Sequence, residues 1–302
     1  MALGISDPDF WTRALQFTPT IHRDIYPAIA PESDRARRVA TDKVVVVTGA
    51  GSGFGKGACL QWARSSAKAI VLAGRRRAQL DEVVSDIAAS SSTTQTTAVQ
   101  CDVSNYDEVK TLFETAAQSY GKVDVLVHAA GVLGPVTNVG DAPVDEWWSA
   151  FEINAKGAFL VARELVRQNE AATFINTGTA ASYFANPGQS SYTMSKLAVN
   201  MLLEQLNAEY SNLRVFNVHP GMAKSSVLRP ELEIYAKDTP ELFGSTTVWL
   251  AGEEAEFLRG RFVAVNWDVD ELVQHQKEIV EEGLLKSQPF KGNIGSGGHF
   301  RS

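Results

Sequence analysis

Tyr192 and Lys196 lie four residues apart in a stretch, 190–210, whose pattern predicts a long helix, so they share one face of it. A free phenol titrates near pH ~10 and is a poor proton donor or acceptor at neutral pH. An ammonium beside it favours the phenolate and lowers that value. The pair therefore has the chemistry of a proton-transfer site. A second stretch, KVVVVTGAGSGFG over residues 43–55, has a different chemistry. An apolar β-branched run stops at Thr48, then Gly49, Gly51, Gly53 and Gly55 alternate with small residues, and a helical pattern follows over 56–65. Glycines permit positive φ and close approach of a ligand to the backbone. The N–H groups and dipole at the following helix start favour a phosphate. Between a strand and a helix, this is the pattern of a dinucleotide-binding turn.

The rest of the chain reads as the frame for these two features. Apolar runs at 44–47, 69–73, 97–100, 123–127, 173–176, 213–218 and 262–265 predict seven strands. Helical spacing at 79–89, 107–120, 145–166 and 190–210 alternates with them. Strands that are apolar throughout are buried on both faces, and their alternation with helices implies right-handed crossovers and a parallel, doubly wound α/β sheet. Ligands of such sheets bind beyond the carboxyl ends of the strands, which gathers the strand endings on one edge. Residues 1–40 stand apart: Phe10, Trp11, Leu15 and Phe17 are followed by Pro19, Pro27 and Pro31, which suggests an arm docked by its aromatics over a sheet edge or an oligomer interface.

Composition narrows the classes. The 302 residues fit one large α/β domain, and a net charge of −7 argues against a nucleic-acid partner, which needs a basic face. Cys59 and Cys101 have no metal-ligand spacing, so no metal site is expected, and reduced thiols in a cytoplasmic protein are the simplest reading. No basic-then-apolar leader opens the sequence and no apolar run approaches ~20 residues, so no membrane partner is expected.

Taken together, residues 43–267 resemble the short-chain dehydrogenases/reductases. Thr48 to Gly55 is similar to the family's TGxxxGxG cofactor turn, with Ser52 and Phe54 inside it. Asp102, followed by Val103, resembles its adenine-contacting aspartate, and Asn154 its helix asparagine. Tyr192 and Lys196 match its YxxxK pair, and Pro220-Gly221, followed by Met222, its nicotinamide-side loop. The arm and the tail are also similar to filamentous-fungal members. The resemblance implies a Rossmann-type sheet over 41–270, an arm over 1–40, a substrate lid over 222–245 and a C-terminal helix and tail over 271–302.

It further implies Tyr192 as general acid or base, Lys196 as its partner and the holder of the nicotinamide ribose, and Asn154 as the holder of a relay water. The family's serine thirteen residues before the tyrosine is replaced here by Thr179, whose hydroxyl still donates to a carbonyl oxygen while its methyl restricts χ1. Ser182 is a second hydroxyl nearby. His128-Ala129-Ala130-Gly131 stands where the family has Asn-Asn-Ala-Gly, so Ala129 cannot tie adjacent strands, and His128 takes a structural or cofactor-lining role beside Ala130 and Gly131. After the second strand, Gly74 offers no carboxylate to a ribose, whereas Arg75, assisted by Arg76, pairs with a 2′-phosphate, so NADP (NADPH) is the expected cofactor. The expected substrate is a small hydrophobic carbonyl or alcohol, held between 132–138, 183–187 and an apolar 222–243 segment that carries Leu228, Leu232, Ile234, Tyr235, Leu242 and Phe243. Lys224 and Arg229 of that segment read as solvated loop charges. The alternative is an epimerase, isomerase or cyclase of the same fold using NADP without net redox. A homodimer or homotetramer through the helices around 145–166 and 190–210 is implied as well.

Overall fold

The computed structural model describes residues 7–90, 93–224, 228 and 230–286. The expectations for the first six residues, for the 225–227 and 229 part of the lid (Arg229 included), and for the tail beyond 286 lie outside them. Seven strands, β1 Val44–Thr48, β2 Ala69–Gly74, β3 Gln95–Gln100, β4 Val125–His128, β5 Thr173–Thr177, β6 Arg214–His219 and β7 Arg261–Ala264, form one sheet in the order β3-β2-β1-β4-β5-β6-β7. Every neighbouring pair is parallel. The order in which strands are added reverses between β1 and β4, so both the glycine turn after β1 and the segment after β4 open at the switch point where such sheets take their ligands.

The helices are α1 Phe10–Ala14, α2 Asp34–Ala40, α3 Gly53–Arg64, α4 Arg77–Ser90, α5 Tyr106–Tyr120, α6 Val144–Phe151, α7 Gly157–Gln168, α8 Ser190–Glu209, α9 Pro240–Ala251, α10 Val269–Gln274 and α11 Gln276–Glu281. Strand residues alternate between two cores. Val45 and Val47 of β1, Val125 and Val127 of β4 and Phe216 of β6 join α3, α4 and α9 on one face. Val46, Leu126, Phe174 and Val215 meet α5, α7 and α8 on the other. The period of two along buried strands sorts the side chains in this way.

One expectation is corrected by the fold. The lid expected over 222–245 ends sooner: from Pro240 the chain is helix α9, and Leu242 and Phe243 are fully buried in the core. Pro240 sits at the first turn and Thr239 caps it by accepting from Leu242 N–H. Helix α9 crosses α3 at two glycines: a Cβ at Gly57 would lie 2.3 Å from Pro240 O, and one at Gly244 would lie 2.5 Å from Gly57 O. Only glycine allows backbones to meet so closely, so Gly57 serves helix packing.

The arm docks on the β7 side, but its outer aromatics are not the main anchor. Phe17 is 40% exposed against Trp267, and Phe10 packs on Trp11. The buried anchors are Tyr26 and Ile29. Tyr26 Oη accepts from Val269 N–H at 2.8 Å, Ile21 pairs antiparallel with Trp267, and Trp267 Nε1 donates to Leu15 O at 2.7 Å.

Candidate active site

The turn after β1 is built as its glycines require. Gly49 has φ +66° and Gly53 φ +51°, and a Cβ at Gly55 would lie 2.2 Å from Gly49 O. Ser52 is exposed at the N-cap and makes no side-chain cap bond. The first backbone bond of the helix runs from Lys56 N–H to Ser52 O, so the N–H groups of Gly53, Phe54 and Gly55 find no acceptor among the described residues. Three free donors on the positive end of a helix fit an anionic diphosphate. Phe54 itself packs inward on Phe243, ring centroids 5.5 Å apart.

The remaining expected cofactor residues fall on the same edge. Arg75 and Arg76 follow β2, are exposed, and have no ion-pair partner among the described residues, whereas Arg77 beside them is paired with Asp81. Asp102 follows β3; one carboxylate oxygen takes Ser104 N–H and Oγ, at 2.9 and 2.7 Å. Val103 is buried against Gly157, where a Cβ would lie 2.8 Å from Val103 Cγ2. Ala130 and Gly131 follow β4, and Ala130 N–H donates to Thr48 Oγ1 at 3.3 Å, tying the loop to β1. Pro220, Gly221 and Met222 follow β6, with Gly221 at φ +77°.

His128 replaces the strand tie that Ala129 cannot make. It is buried and its Nδ1 hydrogen-bonds Thr48 Oγ1 at 2.8 Å, joining β4 to β1. Burial, then the charge of Lys196, pushes its pKa down to about 3, so the ring is neutral around pH 7, with a proton on one nitrogen only. Its Nε2 is buried without a partner among the described residues.

The four chemistry-bearing residues converge although they come from three segments. Thr179 follows β5 and is 8% exposed; its Oγ1 accepts from Ala181 N–H at 3.2 Å, and this side chain acts on the Tyr192 hydroxyl closely enough to pull its pKa down. Lys196, buried on α8, donates from Nζ to Thr177 O at 2.9 Å. Gly131 lies between the segments: a Cβ there would be 3.1 Å from Asn154 Oδ1 and 3.4 Å from Lys196 Nζ. Asn154 is buried inside a π-helical turn, Glu152–Lys156, between α6 and α7, where Gly157 N–H bonds to Glu152 O. Such π turns occur frequently at functional sites. Its side chain accepts from Val132 N–H at 2.9 Å and donates to Val132 O and Ser195 Oγ, at 2.9 and 3.0 Å, so it pins the post-β4 segment to α8.

The electrostatics depart from the simple picture of an ammonium lowering a phenol. Burial pushes the Tyr192 pKa up, and the Thr179 hydrogen bond offsets this in the opposite sense. Burial also pushes Lys196 down, to about 8. Its Nζ is turned to the Thr177 carbonyl, and burial governs the Tyr192 hydroxyl, so the phenol stays protonated around pH 7.

Sequence reading missed what stands behind Thr179. Ser182 Oγ donates to Thr179 O at 2.7 Å and accepts from Asn200 Nδ2 at 2.9 Å, so it is committed inward and is not a second substrate hydroxyl. Asn217 Nδ2 donates to Asn200 Oδ1 at 2.8 Å, and Asn176 Nδ2 to Asn217 Oδ1 at 2.9 Å. All four side chains are buried, and the relay links β5, β6 and α8 to the Thr179 backbone. Residues 137–138 and 182–188, from two of the expected pocket linings, border a cleft of about 530 Å³ with Met194 and Leu197, and Thr179, Tyr192, Lys196 and Asn154 do not line it. No described residue of 222–243 lines it.

A parallel sheet with a glycine turn at its switch point, beside a Tyr–Lys helix pair, defines the class of dinucleotide-dependent α/β enzymes. The family model described as short chain dehydrogenase matches residues 43–234, and the chain belongs to that family. It is similar to the short chain dehydrogenase andI of Emericella variicolor, 33% identical over 89% of this chain and 95% of the relative. It is also similar to the short chain dehydrogenase pigC of Monascus ruber, 30% identical over 89% and 92%. A dehydrogenase/reductase from Sinorhizobium meliloti shares the fold, with a TM-score of 0.70, 21% identity and coverage of 76% of this chain and 96% of that one. The protein is thus of an oxidoreductase family that uses a nicotinamide cofactor and acts on small substrates. Among the described residues no helix is long and apolar enough to cross a membrane.

Proposed function

We propose that the protein is an NADPH-dependent carbonyl reductase, or in reverse an alcohol dehydrogenase, acting on a small hydrophobic molecule of natural-product metabolism in the cytoplasm. The observation that carries this reading is the Tyr192–Thr179 hydroxyl pair, placed with Lys196 and Asn154 around Gly131. The bound cofactor supplies the hydride. Thr179 holds the carbonyl oxygen, Tyr192 delivers a proton to it, and the protonated Lys196 polarises that phenol. The three N–H groups of Gly53 to Gly55 hold the diphosphate, and Asp102 contacts the adenine side. The test is a panel of hydrophobic ketones with NADPH: alcohol formed with stoichiometric NADPH loss supports the reading, and NADPH binding with no turnover of any ketone opposes it.

Two outcomes are expected at this stage. Arg75 and Arg76 are exposed, have no ion-pair partner among the described residues and are able to take a 2′-phosphate, and a hydrogen bond to a charged group contributes about 1.5–3 kcal/mol. Arg75→Glu should therefore weaken NADPH by about 10–100-fold and leave NADH little changed, measured by cofactor fluorescence titration. The pH dependence follows from Lys196. Its pKa near 8 means that the ammonium is present below that pH and lost above it. Reduction measured as kcat/KM should fall as pH rises through about 8, and a profile flat across that range would contradict the role of Lys196.

We also propose that the chain assembles as a homodimer or homotetramer. Trp148, Phe159, Met194, Leu197 and Met201 are each about half exposed on α6, α7 and α8, with the last three at helical spacing on one strip. An exposed apolar strip of this kind marks an interaction surface.

A further inference from the structure

We infer that the N-terminal arm is a working part of the cofactor site, with Arg23 as a positioning residue for the loop at Pro220 to Met222. The inference rests on the proposed reading of that loop as the nicotinamide-side contact. The link between them is Asp238. Its carboxylate is 1% exposed. Oδ2 accepts from the N–H of Met222, and Met222 O accepts from Asp238 N–H at 3.0 Å. Gly221 is pressed so closely on this group that a Cβ would lie 2.4 Å from Asp238 Oδ2. The loop thus rests directly on a buried negative charge.

That charge needs a cation, and the arm supplies it. Arg23 Nε donates to Asp238 Oδ1 at 2.5 Å, beside a 2.8 Å bond from Asn266 Nδ2 to the same oxygen. The rest of the guanidinium fork ties in two further segments: Nη2 donates to Tyr235 O at 3.0 Å and Nη1 to Asp9 Oδ1 at 2.5 Å. The arm backbone is clamped alongside, with Thr239 N–H donating to Arg23 O and His22 N–H to Asn266 O, at 3.2 and 2.8 Å. Burial pushes the Asp238 carboxyl above its ordinary value, and the bonds from Met222, Arg23 and Asn266 offset part of that rise. Without Arg23, Asp238 is a buried, uncompensated carboxylate, which either takes a proton or draws in water. In either case Met222 N–H loses a charged acceptor and the loop loses its seat.

The test uses the full chain and NADPH itself, read by fluorescence titration together with steady-state kinetics. Arg23→Leu is expected to raise the NADPH Kd by about tenfold and to raise KM for NADPH more than it lowers kcat. Arg23→Lys, which keeps a cation at Asp238, is expected to recover most of that loss. Asp238→Asn removes the need for a cation, so adding it to Arg23→Leu should cause no further weakening, a non-additivity that a purely structural arm does not produce. Should Arg23→Leu fail to fold, Asp238→Asn alone decides, with a several-fold weaker Kd expected. Wild-type protein that does not bind NADPH overturns the cofactor reading, and this inference with it. Wild-type protein that binds NADPH while Arg23→Leu, or Asp238→Asn in its place, binds it equally well overturns this inference alone.

Discussion

Tyr192→Phe is expected to lower kcat for ketone reduction by about 10²–10⁴-fold, the range that general acid catalysis contributes, with the NADPH Kd nearly unchanged. The substitution removes one oxygen and keeps the ring. Tyr192 is the only one of the four converging residues whose hydroxyl hydrogen is both near a substrate-facing partner, Thr179, and held on the protonated form by burial. Neighbouring groups are poor substitutes. Ser182 is bonded inward, and His128 is neutral around pH 7 with Nδ1 on Thr48. Rapid-mixing kinetics would separate the loss: hydride transfer should slow while cofactor binding does not. Unchanged turnover would remove Tyr192 from proton transfer.

Thr179→Ala is expected to cost about 10²–10³-fold in kcat, the magnitude for loss of one donor to a developing oxyanion. Thr179→Ser should stay within about tenfold of the parent, because the hydroxyl is the functional group and the methyl only limits its rotamers. The backbone at this position is unusually well supported. Ser182, Asn200, Asn217 and Asn176 form a buried hydrogen-bonded series ending on Thr179 O, so loss of the side chain should leave the turn in place. Comparing kcat for the alanine and serine variants separates the hydroxyl from the fold. Equal loss in both would mean that packing at the methyl, and not donation, governs the site.

The parallel sheet and the location of the site were legible because they rest on short-range signals. Apolar β-branched runs mark strands, and a glycine turn marks the first crossover. The Tyr–Lys spacing needed only a helix to become a shared face. What stayed hidden depends on contacts between distant segments. Helix α9 is buried on nearly every side, so it has no polar face to give a 3.6-residue pattern, and its Gly244 looks like a breaker until α3 supplies the partner glycine. Asn176, Asn200 and Asn217 are isolated asparagines in the sequence and become a relay only when β5, β6 and α8 pack together. Phe10, Trp11 and Phe17 suggested where the arm docks, yet Tyr26, Ile29 and the Arg23 fork form the anchor. Arg23 lies far from Asp238 along the chain, and no local pattern links them. The sign of the Tyr192 shift was also hidden, because it depends on burial and not on the spacing to Lys196.

The central claim is net hydride transfer from NADPH to a carbonyl with Tyr192 supplying the proton. The most direct measurement follows NADPH carrying deuterium at the transferable C4 position, with a panel of hydrophobic ketones as acceptors, and analyses the product by mass spectrometry. One deuterium is expected on the carbinol carbon of each alcohol formed, with one NADPH consumed per product, and loss of both in Tyr192→Phe. Product that forms without label and without NADPH consumption would contradict it and would favour an isomerase or cyclase on the same fold.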